Sequence, residues 1–181
     1  MAAVVAGLSV HFVNSYLHLV PALGDADVDS SSRPPTRIVL ADDHALVRRS
    51  LRRLLDGEED LEVVGEAEEL GSVERELRLH QPHVLVLDLG MHDGSTGIES
   101  IGRLRELAPK TTIVGLTMRD EPVFARHALR AGAVGFVRKE LADAELAPAI
   151  RAAARGKQFV SPRVAAQLDA RPHPTALSVR G

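Results

Sequence analysis

Short apolar runs rich in β-branched residues alternate along this chain with longer segments whose apolar residues recur at helical spacing. The runs are Ile38-Val39-Leu40-Ala41, Leu61 to Ala67, Val84-Leu85-Val86-Leu87, Thr112 to Leu116 and Val134 to Val137. The third is unbroken, which suits a strand covered on both faces. Ala45 to Leu55 sets Leu46, Val47, Leu51, Leu54 and Leu55 against Arg48, Arg49, Arg52 and Arg53, predicting one buried stripe and one solvated face, with Gly57 closing the helix. Ser72 to His80 reads as a polar helix with Val73, Leu77 and His80 inward, and Ile98 to Leu107 as a third helix stopped by Pro109. A fourth, capped by Asp120 with Pro122 in its first turn, runs through Ala131 to a left-handed Gly132. The fifth spans roughly Asp143 to Arg155, and its Pro148 must lie in the first turn or kink it. This alternation predicts an α/β fold: a five-stranded parallel, doubly wound sheet with five flanking helices.

The flanks differ in composition. Gly24 to Pro35 is rich in Asp, Ser and Pro, a linker signature, so a folded domain is expected from Thr36 to Gly156 behind a disordered or loosely helical extension over 1–35. Residues 157–181 read as a short helix from Ser161-Pro162 to Leu168, followed by linker composition at Arg171-Pro172-His173-Pro174. The first twenty residues are apolar but interrupted by His11, Asn14, Ser15 and His18, and no Lys or Arg precedes them, as a secretory signal requires. They are also too broken for a membrane span. A chain of 181 residues with 45% hydrophobic content holds one ordinary domain plus tails. Its net charge of −3 argues against binding nucleic acid through a broad basic surface. The absence of cysteine excludes disulfides, thiolate metal sites and cysteine nucleophiles and fits a reducing compartment; the absence of tryptophan, with a single tyrosine, excludes a large aromatic platform.

Candidate chemistry lies where the apolar runs stop: Asp42 and Asp43 after the first, Asp88 after the third, Thr117 after the fourth and Lys139 shortly after the fifth. Right-handed crossovers put the carboxyl ends of parallel strands on one sheet edge, where open α/β sheets bind ligands. Taken singly, an aspartate there is as readily a helix N-cap, a threonine is usually structural and a lysine solvated. Yet the chain has only three lysines, Lys110, Lys139 and Lys157, and one of them stands at the required strand end. Three clustered carboxylates are unfavourable without a cation or raised pKa values, and a hard ion such as Mg²⁺ resolves this with oxygen ligands. Asp88 could then attack phosphorus as a carboxylate nucleophile, with Lys139 neutralising the phosphoryl oxygens and the Thr117 hydroxyl donating to one.

Arg37-Ile38-Val39-Leu40-Ala41-Asp42-Asp43-His44 with Leu46-Val47-Arg48, Val84-Leu85-Val86-Leu87-Asp88-Leu89, Leu116-Thr117 and Ala131-Gly132-Ala133-Val134-Gly135-Phe136-Val137-Arg138-Lys139 together resemble the receiver domain of bacterial two-component response regulators. The Asp-Asp-His opening and the Ala-Gly-Ala-x-Gly-Phe segment resemble the branch with a LuxR-type helix-turn-helix output. The resemblance covers about residues 36–156 and implies a flavodoxin-like strand order 2-1-3-4-5. It further implies phosphoryl transfer from a sensor histidine kinase to Asp88, with Mg²⁺ held by Asp43, Asp88 and the carbonyl of Gly90, and Asp42 acting largely through water. Thr117 and Phe136 match the family's switch pair: the hydroxyl moves to the phosphate and the ring turns inward, remodelling a pairing face made by the fourth helix, fifth strand and fifth helix. A cytoplasmic transcription regulator is implied, not an enzyme beyond slow self-dephosphorylation.

Three departures stand out. His92 follows Met91 where the family usually has proline, Gly97 lies one position later than the family glycine, and Glu140 replaces the proline that often follows the lysine. Residues 171–181 are too few for a three-helix DNA-binding module, so the chain as given is not expected to bind DNA specifically, nor a membrane. Two other classes compete. A haloacid dehalogenase-type phosphohydrolase needs a second aspartate two positions beyond the nucleophile, where this chain has Gly90. A receiver-like interaction module that takes no phosphate would follow from the altered loop after Asp88.

Overall fold

The computed structural model describes residues 33–91, 97–118, 122–160 and 165. The chain divides into two compact units between Arg33 and Pro34, and the architecture below is that of the second. The elements run β1 Thr36–Ala41, α1 Ala45–Leu55, β2 Leu61–Ala67, α2 Leu70–His80, β3 Val84–Asp88, α3 Gly97–Leu107, β4 Thr112–Thr117, α4 Pro122–Ala131, β5 Gly135–Arg138, α5 Ala142–Ala154 and β6 Phe159–Val160. All strand pairs are parallel, and the spatial order is β2-β1-β3-β4-β5-β6.

The sheet is therefore the expected doubly wound one, extended by a two-residue sixth strand beside β5. Successive residues of a strand point to opposite faces. Val39, Ala41, Leu85, Leu87, Ile113 and Phe136 accordingly pack beneath α2, α3 and α4, while Ile38, Leu40, Val84, Val86, Val114 and Val137 pack beneath α1 and α5. All five residues of β3 are buried, as its unbroken apolar run predicts.

Several local expectations are corrected. Leu46 is 76% exposed and Val47 only half-buried, whereas Arg48 is buried, so the inner stripe of α1 is rotated toward Arg48, Leu51 and Leu55. Gly57 has no left-handed backbone; α1 ends at Asp56, whose N–H donates to the Arg52 carbonyl. A residue without glycine's freedom that does take a left-handed conformation at a helix end is Gln81, after α2. That helix begins two residues early, at Leu70, because Ser72 Oγ accepts the Glu69 N–H and donates to the Glu69 carbonyl. Pro148 lies in the interior of α5, past its first turn, on the exposed side. Gly132 has φ +110°, as its place after α4 requires. The Asp120 cap, His92, the extension over 1–32 and the C-terminal segment, Ala165 apart, lie outside the described residues.

Candidate functional site

Parallel register brings the strand-end residues together. Ala41 is level with Leu87, Asp88 with Leu116, and Thr117 with Arg138. Asp42 and Asp88 thus leave neighbouring strands at one level, Thr117 stands a level further out and Lys139 another beyond it. The chain then tightens into a 3₁₀ turn, Lys139–Leu141. The lysine reaches back over the edge, and its Nζ lies 2.8 Å from Asp88 Oδ2 and 2.7 Å from Asp42 Oδ2.

Both aspartates are buried, at 1% exposure for Asp42 and 2% for Asp88. Asp88 Oδ1 accepts the Gly90 N–H at 2.9 Å, while Oδ2 accepts from Lys139. Gly90 comes so near that a Cβ there would sit 3.3 Å from Asp88 Oδ1. Asp42 Oδ1 accepts the His44 N–H at 2.9 Å. Asp42 Oδ2 sits beside the ammonium without hydrogen-bond alignment, and it is the orphan among the buried side-chain N and O atoms of the described residues. Asp43 is more exposed, with Oδ1 2.6 Å from His44 Nδ1. One ligand atom from each of Asp42, Asp43, His44 and Asp88 falls within 4.8 Å of the others.

Burial pushes the Asp88 carboxyl above the ordinary aspartate value, against the hydrogen bonds from Lys139 and Gly90 and the lysine's charge; the nearby Asp42 adds to the rise. Burial acts on Lys139 in the opposite sense, but the adjacent Asp42 and Asp88 carboxylates win, so its pKa is raised. Lys139 is therefore held as an ammonium between two buried carboxylates. Three carboxylates against that one ammonium leave an excess of negative charge, and Asp42 Oδ2, though ion-paired with the ammonium, has no aligned hydrogen bond. Carboxylate oxygens in this number suit a hard divalent cation, so Asp42, Asp43 and Asp88 could hold Mg²⁺.

Thr117 is buried at the end of β4. Phe136 is 2% exposed and packs in the cluster beneath α2, α3 and α4, so its ring already occupies an inward position. Gly97 starts α3 directly against the outgoing loop: a Cβ would meet Leu89 Cα at 2.7 Å and the Asp88 carbonyl at 2.8 Å. The displaced glycine thus makes a close approach to the backbone of Asp88 and Leu89.

Sequence reasoning missed two neighbours. His44 contributes a backbone donor and a ring to the aspartate pair. Arg48, assigned to the solvated face, turns inward onto the Asp42 carbonyl. The signal was the alternation Glu66-x-Glu68 at the end of β2, two carboxylates that a buried cation on α1 can satisfy.

This edge, an acidic cluster bridged by one lysine on a doubly wound sheet, is that of a receiver. The response regulator receiver domain model matches residues 38–151, and the chain belongs to that family. Its homologues are NreC- and LuxR-type response regulators. The oxygen regulatory protein NreC of Staphylococcus haemolyticus is 36% identical over 132 residues, which are 73% of this chain and 61% of that protein. A LuxR-family two-component response regulator from Aurantimonas sp. SI85-9A1 superposes with a TM-score of 0.70 at 36% identity, covering 74% of this chain and 95% of that one. The isolated receiver domain of RcsB from Salmonella enterica serovar Typhimurium, solved with the phosphomimetic BeF₃⁻, superposes at 0.68 with 31% identity, covering 75% and 99%. The chain thus spans about three fifths of the length of its NreC relatives. No helix among the described residues is long and apolar enough to cross a membrane.

Proposed function

We propose that this chain is the phosphoacceptor module of a two-component system, phosphorylated on Asp88 by a histidine kinase with Mg²⁺ present. The observation that carries this is the buried Asp88 carboxylate, held between the Gly90 N–H and Lys139 beside two further aspartates. A carboxylate oxygen of Asp88 attacks the phosphorus of a phosphohistidine; an O–P bond forms, the N–P bond breaks, and its electron pair leaves on the imidazole nitrogen, which takes a proton from solvent. Bound Mg²⁺ would supply charge neutralisation for the phosphoryl oxygens; Asp43, Asp88 and the Gly90 carbonyl would hold it, with Asp42 acting largely through water. Lys139 gives up part of its hold on the aspartates to pair with the new anion, and the Thr117 hydroxyl donates to it.

The output is a two-state element biased by that charge. Because the Phe136 ring is already inward, the response on this reading is carried by Thr117 and Lys139 rather than by a large ring movement. The face of α4, β5 and α5, with Val123 54% exposed on α4, is the pairing surface. The module works in the cytoplasm, and DNA is contacted by whatever output domain accompanies it. A hydrolase is disfavoured because Gly90 stands where an acid/base carboxylate would be needed, so turnover beyond slow self-dephosphorylation is not expected.

Incubation with Mg²⁺ and acetyl phosphate, read by intact mass, tests this. One phosphate adduct that vanishes in Asp88→Asn is expected; no adduct at all, or one that survives the substitution, overturns the proposal.

A further inference from the structure

Asp42 is held from several sides. The Asp42 N–H donates to the Ala67 carbonyl at the end of β2, at 3.1 Å. Asp42 Oδ1 is taken by the His44 N–H. The Asp42 carbonyl accepts Arg48 Nη1 at 2.7 Å. That carbonyl belongs to the peptide bond leading into Asp43, and a peptide unit is planar. Its direction therefore fixes the plane from which the Asp43 Cα departs, which leaves the Asp43 side chain one backbone rotation, φ, by which to change its direction.

Arg48 is well placed to fix it. Its side chain is 10% exposed and spends its other nitrogens on β2 and the residue just past it: Nε lies 3.1 Å from Glu66 Oε2, and Nη2 pairs with Glu68 Oε1. Glu66 is held in turn by Arg52 Nη1 at 2.9 Å. The planar guanidinium thus ties the end of β1 to the end of β2 with three donors in a rigid fork, a geometry the single ammonium of lysine cannot copy. Glu66 and Glu68 also balance its charge, so it can sit behind an acidic cluster without taking the place of a cation.

We infer that, on the reading of Asp88 as an Mg²⁺-dependent phosphoacceptor, Arg48 is a positioning residue for the metal: its hold on the Asp42 carbonyl aims Asp43, and with it the carboxylate set, at the Mg²⁺ position. Charge alone has the opposite sign. Removing a nearby cation should strengthen Mg²⁺ binding by Coulomb attraction, whereas losing the orienting hydrogen bond should weaken it.

The experiment is calorimetric titration of Mg²⁺ into the full chain, the Arg48→Lys and Arg48→Met variants, and Arg52→Met, which breaks a Glu66 ion pair without touching Asp42. Folding of each is checked by its melting curve in chelator. Mg²⁺ affinity falling about tenfold in both Arg48 variants and unchanged in Arg52→Met is expected, the loss typical of groups that orient a ligand. The acetyl phosphate rate should regain the parent plateau at saturating Mg²⁺. Unchanged or tighter Mg²⁺ binding in folded Arg48→Lys and Arg48→Met overturns the positioning role, as does equal weakening in Arg52→Met. A parent chain that takes up no Mg²⁺ overturns the phosphoacceptor reading along with it, whereas a parent that binds Mg²⁺ beside indifferent Arg48 variants overturns the inference alone.

Discussion

Asp88 is a carboxylate whose charge works against the fold. Burial raises its pKa more than Lys139 and the Gly90 N–H lower it, so folding favours the protonated form. That contribution is fully present below the unfolded-state pKa of about 3.9 and is lost as pH rises through the folded-state value. With divalent ions chelated, Asp88→Asn should therefore melt a few degrees above the parent at pH 7, and the gap should close as the pH falls to about 4. Melting curves across that range check it; a variant that melts below the parent at neutral pH contradicts it. The strand-end residues themselves were legible in the sequence because apolar runs mark strands, and parallel strands share one edge for their ends. What stayed hidden was rotation about a helix axis. The arginines of α1 look alike in sequence, and only the position of Glu66 at the end of the adjacent strand, with Glu68 just past it, decides that Arg48 turns inward while Leu46 is left outside.

Among the elements, the start of α3 governs the site as much as any strand. Gly97 leaves no room for a Cβ, since the obstructing atoms are the backbone of Asp88 and Leu89, which cannot rotate away. Gly97→Ala should cost about 1–3 kcal/mol by overpacking. On the proposed function it should also slow phosphorylation by acetyl phosphate, because the backbone that must yield carries Asp88; denaturant melts and intact-mass time courses measure the two effects. A full-rate, fully stable Gly97→Ala chain would show that the approach is not tight. Helix and strand positions followed from periodicity, and most ends lay within a residue or two of those expected. The errors share a cause in local backbone chemistry. Gly57 has the residue type of a left-handed cap and Gln81 does not, yet Gln81 adopts it, since the chain must turn sharply into Pro82. The strand β6 is two residues long and exists through its pairing with β5, a tertiary contact that leaves no period in the sequence.

At the scale of the whole molecule, the edge carrying the site also offers a way in. Beside Lys139, a groove of about 470 Å³ is lined by Leu46, Leu54 and Met118, of which Leu46 is 76% and Met118 63% exposed. If Asp88 takes its phosphate from a histidine kinase, as proposed, that protein must seat near this rim, and an exposed apolar groove suits an amphipathic helix. Leu46→Asp should then slow transfer from a phosphorylated histidine kinase at least tenfold while leaving the acetyl phosphate rate unchanged; equal rates with both donors would remove the groove from the transfer route. The proposed function turns on which side chain takes up phosphate. Borohydride reduction of the phosphorylated chain, which converts an aspartyl phosphate to homoserine, followed by peptide mapping, reads that position directly. Homoserine at position 88 alone, formed with Mg²⁺ and absent with chelator, is the predicted result. Homoserine at position 42 or 43, or at no position, would contradict it.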